Sequence, residues 1–451
     1  MKCTVCSGTS FKDVDQYRHK PSGMIMCESC GFITYKSIQS EADRQKLTEF
    51  YREEYRDVPN INNVFTGQRK LHYHMAFLRD LFDSWKSGEV SSPTIGEVGS
   101  AFGMYLNWIK QIIPSARIRG AELTKSYRLA AFHEYKIWLD EKLDETLKYD
   151  LITSYKVAEH QPDIIDELKK YRRLLNDDGK LYISVPLWFE SMTNFGSSGW
   201  SIEYYYHTNH VNVWTKKNFE YILARVGFKI VKENNTYYDS TYLCEKSEPS
   251  EAELDSASRI EKCLDNVFKA SNAHDESKYQ DAVNHFPTFP GAWVALYEIQ
   301  RKKLHELGYE GIKKQIIDPM LAACPVNRDT WMQAGEIAMR YGEWKDAIAC
   351  FNKVVELVPN EPQALMNIGH CFRSIADAAT DKNEKERLFK EAINVTRFQK
   401  NISLQTMFEC TNWIFQDIAR LPMPTAGEAL KSSVNDKGWV DLHSELGGKI
   451  A

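Results

Sequence analysis

Four cysteines crowd into the first thirty residues as Cys3-x2-Cys6 and Cys27-x2-Cys30. Two residues between thiols let one tight turn aim both sulfurs at a point. Two such turns supply the four sulfurs of a closed, tetrahedral zinc site. Ser7-Gly8 and Gly31 follow the pairs, where a knuckle turn needs positive φ. The pattern predicts a structural zinc ribbon, with metal supplying most of the folding energy of so small a piece. A redox dithiol would instead need one pair beside a thioredoxin-like unit. Residues 1–36 hold five basic and three acidic side chains. That field is weak, so a lid or substrate platform is favoured over nucleic-acid binding.

A second set is Glu97-x-Gly99-x-x-x-Gly103, with Glu122 following it. Glycines here leave space for a ligand to approach the backbone. An acid at the end of the next strand can take both hydroxyls of a ribose. The layout is that of a cofactor containing a nucleoside. A dinucleotide wants G-x-G-x-x-G, so that its pyrophosphate can sit on a helix N-terminus. In this chain Ala101 stands where a third glycine would be. S-adenosylmethionine has no phosphate to cradle, and an acid ahead of a looser loop suits it better.

The third set is a stretch, 188–214, with eight aromatic residues and His207 and His210 among them. Beyond the carboxyl edge of a sheet, such a loop builds a substrate pocket: aromatic walls exclude water and a histidine can remove a proton. The competing reading is that these aromatics pack an interface and the histidines are hydrogen-bonded structural residues.

These residues need a frame. From about residue 60, apolar strands alternate with amphipathic helices, which predicts a mostly parallel α/β sheet. Strands are expected within 94–100, where a short strand runs into a loop, and at 117–122, 135–139, 149–155, 180–185, 228–233 and 241–245. Helices are expected at 72–85, from Met104, at 126–134, at 162–175 and from a Thr215 N-cap to a Gly227 stop. Asp178-Gly179 reads as a turn. The signature loop thus follows the first strand, and Glu122 ends the second.

Composition bounds the rest. The chain has 451 residues, a prior of about three domains at ~150 residues each. Net charge is −5, against generic nucleic-acid binding. No apolar run reaches the ~18 residues of a membrane span, and the first residues carry no apolar signal core. A cytoplasmic protein with reduced or metal-bound cysteines is expected.

Residues 94–245 resemble a class I S-adenosylmethionine-dependent methyltransferase. The carriers are Glu97-Val98-Gly99-Ser100-Ala101-Phe102-Gly103, Glu122, the run Tyr149 to His160 ending Val157-Ala158-Glu159-His160, and Arg172 to Lys180 followed by Val185-Pro186. With the ribbon and the stretch Phe50-Tyr51-Arg52-Glu53-Glu54-Tyr55-Arg56, the first 247 residues resemble the branch that includes deoxysugar C-methyltransferases. The resemblance implies that Glu97, Gly99, Ser100 and Gly103 line the methionine end of the cofactor. Glu122 would hold the ribose, and Ser154 and Tyr155 would lie beside the cofactor near the substrate. It also implies that the segment His210-Val211-Asn212-Val213-Trp214-Thr215 takes the place of the catalytic histidine segment of the sugar enzymes; with His207 from the aromatic loop and Tyr155 beside the cofactor, His210 makes up the set of candidate catalytic groups. Sugar C-methyltransferases usually place a glutamate before the histidine; Asn209 stands here, which leaves O- or N-methylation open.

After a polar linker at 248–256 the pattern is helical. Pro287, Pro325 and Pro359 each precede Trp293, Trp331 and Leu365 by six. With Gly335, Gly342, Ala347 and Phe351, this resembles tetratricopeptide repeats, paired helices of about 34 residues. Such stacks hold protein partners or mediate self-association.

The reading is therefore a Rossmann-like α/β methyltransferase domain (60–247), a zinc ribbon (1–36), an all-α repeat domain (257–425) and a polar tail (426–451). Its cofactors would be S-adenosylmethionine and structural zinc. Its acceptor would be a small molecule such as a sugar or sugar nucleotide, with no nucleic acid and no membrane. The alternatives are a non-catalytic scaffold working through the repeats, or a protein methyltransferase.

Overall fold

A computed structural model of the chain describes residues 2–14, 23–53, 77–186, 210–235, 239–262, 265, 276–285, 287–288, 290–358 and 361–397. They fall into two compact units, within Met1–Val64 and Arg79–Thr330 and within Phe65–Leu78 and Trp331–Ala451.

The first unit begins with three short strands, β1 (Phe11–Asp13), β2 (Met24–Cys27) and β3 (Ile33–Tyr35), and helices α1 (Glu41–Glu53) and α2 (Arg79–Lys86). The main sheet then alternates strand and helix: β4 (Thr94–Val98), α3 (Met104–Ile112), β5 (Arg117–Ala121), α4 (Lys125–Tyr135), β6 (Leu139–Asp140), β7 (Tyr149–Tyr155), α5 (Ile164–Leu174) and β8 (Leu175–Pro186). After β9 (Asn212–Val213) come α6 (Lys216–Val226), β10 (Phe228–Asn235) and β11 (Asp239–Lys246).

The seven strands lie in the order β10-β11-β8-β7-β4-β5-β6. β6, β5, β4, β7 and β8 are parallel, and β11 pairs antiparallel with both β8 and β10. The chain starts in the middle at β4, winds outward through β5 and β6, and returns to β7. Ligands bind at such a reversal, outside the carboxyl ends of the strands. β7 is buried along most of its length, the signature of a strand covered on both faces. Helix α5 buries Ile164, Leu168, Tyr171 and Leu174, one stripe at helical spacing. The Thr215 hydroxyl accepts from the Asn218 N–H at 3.2 Å and Gly227 ends α6 at φ +92°, as the cap signals predict.

Two expectations are corrected. The strand predicted at 135–139 is confined to Leu139–Asp140, because α4 runs on through Tyr135 and Lys136 caps it in the left-handed region. Asp178-Gly179 is expected to turn the chain into a strand that starts at Lys180, but the strand already starts at Leu175. The pair lies inside β8, where pairing jumps from Tyr149–Leu175 to Leu151–Lys180 and the surplus residues bulge out.

The N-terminal strands are stitched into the same unit. They form a second sheet, β1-β2-β3-β9, in which Ile33 pairs with Val213 and Thr34 with Asn212. Cys3, Cys27, Cys30 and Phe32 share one apolar cluster with Trp214, Phe219 and Ile222. Trp214 is therefore a core residue stacked on Phe32, not a pocket wall.

Beyond the sheet, α7 (Glu276–His285), α8 (Pro290–Glu306), α9 (Gly308–Ile312), a π-helical turn (Lys313–Ile317) and α10 (Asp318–Ala323) follow. The Trp293 indole donates to the Pro287 carbonyl at 2.7 Å, which gives the proline–tryptophan spacing a physical role. Helices α11 (Arg328–Arg340), α12 (Trp344–Leu357), α13 (Pro362–Ala378) and α14 (Lys382–Arg397) follow, so the elements among the described residues beyond 276 are all helical. In the second unit the missing Cβ of Gly335 would stand 2.5 Å from the Phe351 ring, so a glycine is what lets α11 and α12 cross closely.

Candidate active site

The signature loop is built from the backbone outward. The N–H groups of Gly99 and Ser100 both donate to the Ala121 carbonyl, at 2.8 and 3.0 Å, which folds the end of β4 against the end of β5. Gly99 sits at φ +70° and Gly103 at φ +77°, where α3 starts. Both positions favour glycine. The space above Gly99, however, is entered by Val157: its Cγ2 lies 2.3 Å from where a Cβ would stand. That glycine thus serves the turn and the packing of the strand-β7 exit, rather than only a ligand.

Two acids bracket the loop. Glu122 accepts from the Ala101 N–H at 2.8 Å and from the Thr124 N–H at 2.9 Å, one to each oxygen. Each oxygen keeps a further lone pair for a ligand hydroxyl. Glu97, 8% exposed, is the last residue but one of β4, and its Oε2 has no hydrogen-bond partner among the described residues. Burial pushes its carboxyl up to about 8; the Ser100 hydroxyl opposes this and the Glu122 charge adds to it. A buried, unsatisfied carboxyl is costly, and a cationic ligand would settle it. S-adenosylmethionine carries an ammonium, a sulfonium and a ribose diol, so the two acids fit it. Ser154 is fully buried on β7 beside Val98, and Tyr155 follows it at the strand end.

Next to this loop lies a cluster that the sequence reading passed over. Past β7 the chain makes a short turn, Ala158–His160. The Tyr51 hydroxyl, from α1, is 2.6 Å from His160 Nδ1. The His160 and His210 rings meet edge-on at 4.8 Å, and His160 Nε2 is 3.8 Å from Glu159 Oε1. Glu159 is 1% exposed. Asn212 holds the turn, its amide donating to the Ala158 and Gln161 carbonyls at 3.0 and 2.6 Å. The Tyr51 carbonyl accepts from the Thr124 hydroxyl at 2.9 Å, which ties α1 to the segment after Glu122. Predicted His210 is thus brought to the strand-β7 exit; His207 lies outside the described residues. Tyr51, Glu159 and His160 stood in the quoted sequence stretches without a role. The acid–histidine pair directly after a parallel strand was the signal that could have found two of them.

The four predicted sulfurs converge. Cys3 and Cys30 are 3.6 Å apart, Cys6 and Cys27 3.5 Å, and all four lie within 4.8 Å. Sulfurs around one zinc at ~2.3 Å sit ~3.8 Å apart, so the set fits that ion. Ser7 and Gly31 take the positive φ that the knuckles require. All eight described cysteines are free thiols. The Asn218 amide donates to the Cys30 carbonyl at 2.8 Å and Arg225 to the Val5 carbonyl at 2.8 Å.

Residues 75–233 match the protein family described as "Methyltransferase domain". Together with the sheet order and the acid-bracketed loop, this makes the segment a class I S-adenosylmethionine-dependent methyltransferase domain. No curated protein sequence matches the chain. Among solved structures, an S-adenosylmethionine-dependent methyltransferase from Clostridium acetobutylicum ATCC 824 is 11% identical, over 42% of this chain and 100% of that one, with a TM-score of 0.32. Magnesium protoporphyrin IX methyltransferase from Synechocystis PCC 6803, bound to S-adenosylhomocysteine, is 15% identical over 46% and 95%, with a TM-score of 0.32. No described helix is long and apolar enough to cross a membrane.

Proposed function

We propose that the chain transfers a methyl group from S-adenosylmethionine to a small-molecule acceptor, with a sugar or sugar nucleotide as the acceptor class that the sequence resemblance suggests. The observation that carries this reading is the pairing of two acids around one loop, one of them buried with an unsatisfied oxygen, directly beside a Glu159–His160–His210 cluster. When bound, the cofactor supplies a methyl group already activated by its sulfonium.

The protein's work is then positioning. Glu97 is proposed to hold the ammonium, the Gly99–Gly103 loop with Ser100 the methionine chain, and Glu122 the ribose hydroxyls. Ser154 and Tyr155 are proposed to border the methyl group. His210, with His207 as a further candidate, is proposed to meet the acceptor, the cluster lowering the cost of losing its proton. Cys3, Cys6, Cys27 and Cys30 are proposed to bind structural zinc: four sulfurs leave no open position for substrate. The helices after 257 are proposed to be tetratricopeptide-like and to serve a protein partner or self-association. The close Gly335–Phe351 crossing supports that repeat reading.

Isothermal titration with S-adenosylmethionine, using zinc-loaded protein, tests the cofactor site. Mass spectrometry of candidate sugar nucleotides incubated with protein and cofactor tests the acceptor class. Saturable binding and a mass gain of one methylene are expected; absence of binding overturns the catalytic reading.

A further inference from the structure

Glu159, His160 and His210 offer one ligand atom each, all within 4.8 Å of one another. Two imidazoles and one carboxylate are the facial set that holds divalent first-row ions and leaves positions open for a substrate. Donors around one ion at ~2.1 Å lie ~3–3.5 Å apart, so a closure of about 1 Å by side-chain rotation would complete the site.

A second, independent feature points the same way. His160 is gripped through Nδ1 by the Tyr51 hydroxyl at 2.6 Å, while Nε2 is the atom on the Glu159 side, at 3.8 Å. Ligating histidines are held in this manner: an oxygen on one ring nitrogen fixes the ring and leaves the other nitrogen to the ion. The turn itself is clamped by Asn212. Glu159 is almost fully buried, so its carboxyl is held in place beside the two imidazoles. The location is also apt. Val157, two residues before Glu159, packs on Gly99 of the cofactor loop.

We propose that Glu159, His160 and His210 bind a divalent transition-metal ion that takes an oxygen of the acceptor as a further ligand. The proposal rests on the methyltransferase reading and deepens it: the acceptor is an alcohol or enol, and the product an O-methyl ether. Coordination makes the hydroxyl more acidic, and its proton leaves to solvent. One O–C bond then forms as the S–C bond breaks, and the electron pair of that bond stays on sulfur. This differs from the cysteine cluster, which presents sulfur only and is closed.

The test counts metal on the full-length protein. Loaded with cobalt(II), the wild type is expected to hold two ions per chain, one with thiolate-to-cobalt absorption and one without. Glu159→Gln and His210→Ala are each expected to remove one ion while leaving the thiolate absorption and the circular dichroism unchanged. One ion per chain in the wild type, or two retained in both variants, overturns the proposal. Glu159→Gln keeps the side chain's shape, so it reports even if His210→Ala misfolds. Titration with S-adenosylmethionine runs beside it: loss of cofactor binding by the wild type would sink the methyltransferase reading, whereas the metal count judges the site.

Discussion

The Ala101 N–H donates to a Glu122 carboxylate oxygen at 2.8 Å, across the gap between the first loop and the second strand of the parallel sheet. Ala101 adopts φ +46° to do so. The acid therefore shapes the loop that it is proposed to share with the ribose, and the two tasks can be separated by substitution. Glu122→Gln keeps one oxygen acceptor and should weaken S-adenosylmethionine binding by about 1–3 kcal/mol, the scale of charged hydrogen bonds. Glu122→Ala should do the same and also lower the melting temperature. Calorimetric titration and thermal melts on both variants decide it; unchanged affinity in Glu122→Ala would remove the residue from the site.

Glu97 should make cofactor binding depend on pH. Its carboxyl is pushed up to about 8 by burial, so below that pH it is mainly protonated in the free domain. A cationic ligand favours the ionised form. Binding should therefore release a proton and tighten as pH rises from 6 toward 8, and Glu97→Gln should flatten that profile. Titrations in buffers of different ionisation enthalpy measure the proton directly.

The same group has a stability signature of opposite direction. A carboxyl whose folded value lies above its unfolded value keeps its full contribution below the unfolded value, about 4.5, and loses it as pH rises through about 8. The unliganded protein should accordingly lose less stability in Glu97→Gln than in the wild type between pH 5 and 8. Denaturant titrations across that window check it.

Stripping metal from the zinc site proposed at the cysteine cluster should disturb more than the first strands. Cys3, Cys27 and Cys30 share an apolar cluster with Trp214 and Phe219, and β3 pairs with β9. Hydrogen exchange after chelation is expected to quicken in residues 211–226 as well as in 2–35, with α12 unchanged as the internal control. Protection retained in 211–226 would show that the ribbon is dispensable to the site.

Gly99→Ala should cost about 1–3 kcal/mol of stability, because a side chain at φ +70° is strained and its Cβ would meet Val157 at 2.3 Å. Adding Val157→Ala should recover the steric part but not the backbone part. Equilibrium unfolding of the two variants and the wild type separates the contributions.

Much of this was legible in the residues. Apolar runs at Thr94–Val98 and Tyr149–Tyr155, the glycine loop after the first of them, and each close pair of cysteines are local signals, each written within a few neighbouring positions. The strand at Leu139–Asp140 was placed too early because helix and strand compete over a short apolar stretch, and the left-handed cap at Lys136 is not a glycine. The Tyr51–His160 contact and the β3–β9 pairing were illegible for a different reason. Each joins residues more than a hundred positions apart, and neither partner carries a pattern that names the other. Trp214 illustrates the cost: grouped with its aromatic neighbours it reads as pocket wall, while its actual partner is Phe32.

The bond from the Thr34 hydroxyl to the Val211 carbonyl spans 177 positions. On a ribosome adding roughly 5–20 residues per second, the third strand of the ribbon waits on the order of 10–35 s for its neighbour to be made. During that interval one border of the newborn sheet stays open to pairing with other chains. Early capture of metal by the four thiols would keep that young fragment compact until the rest of the polypeptide arrives.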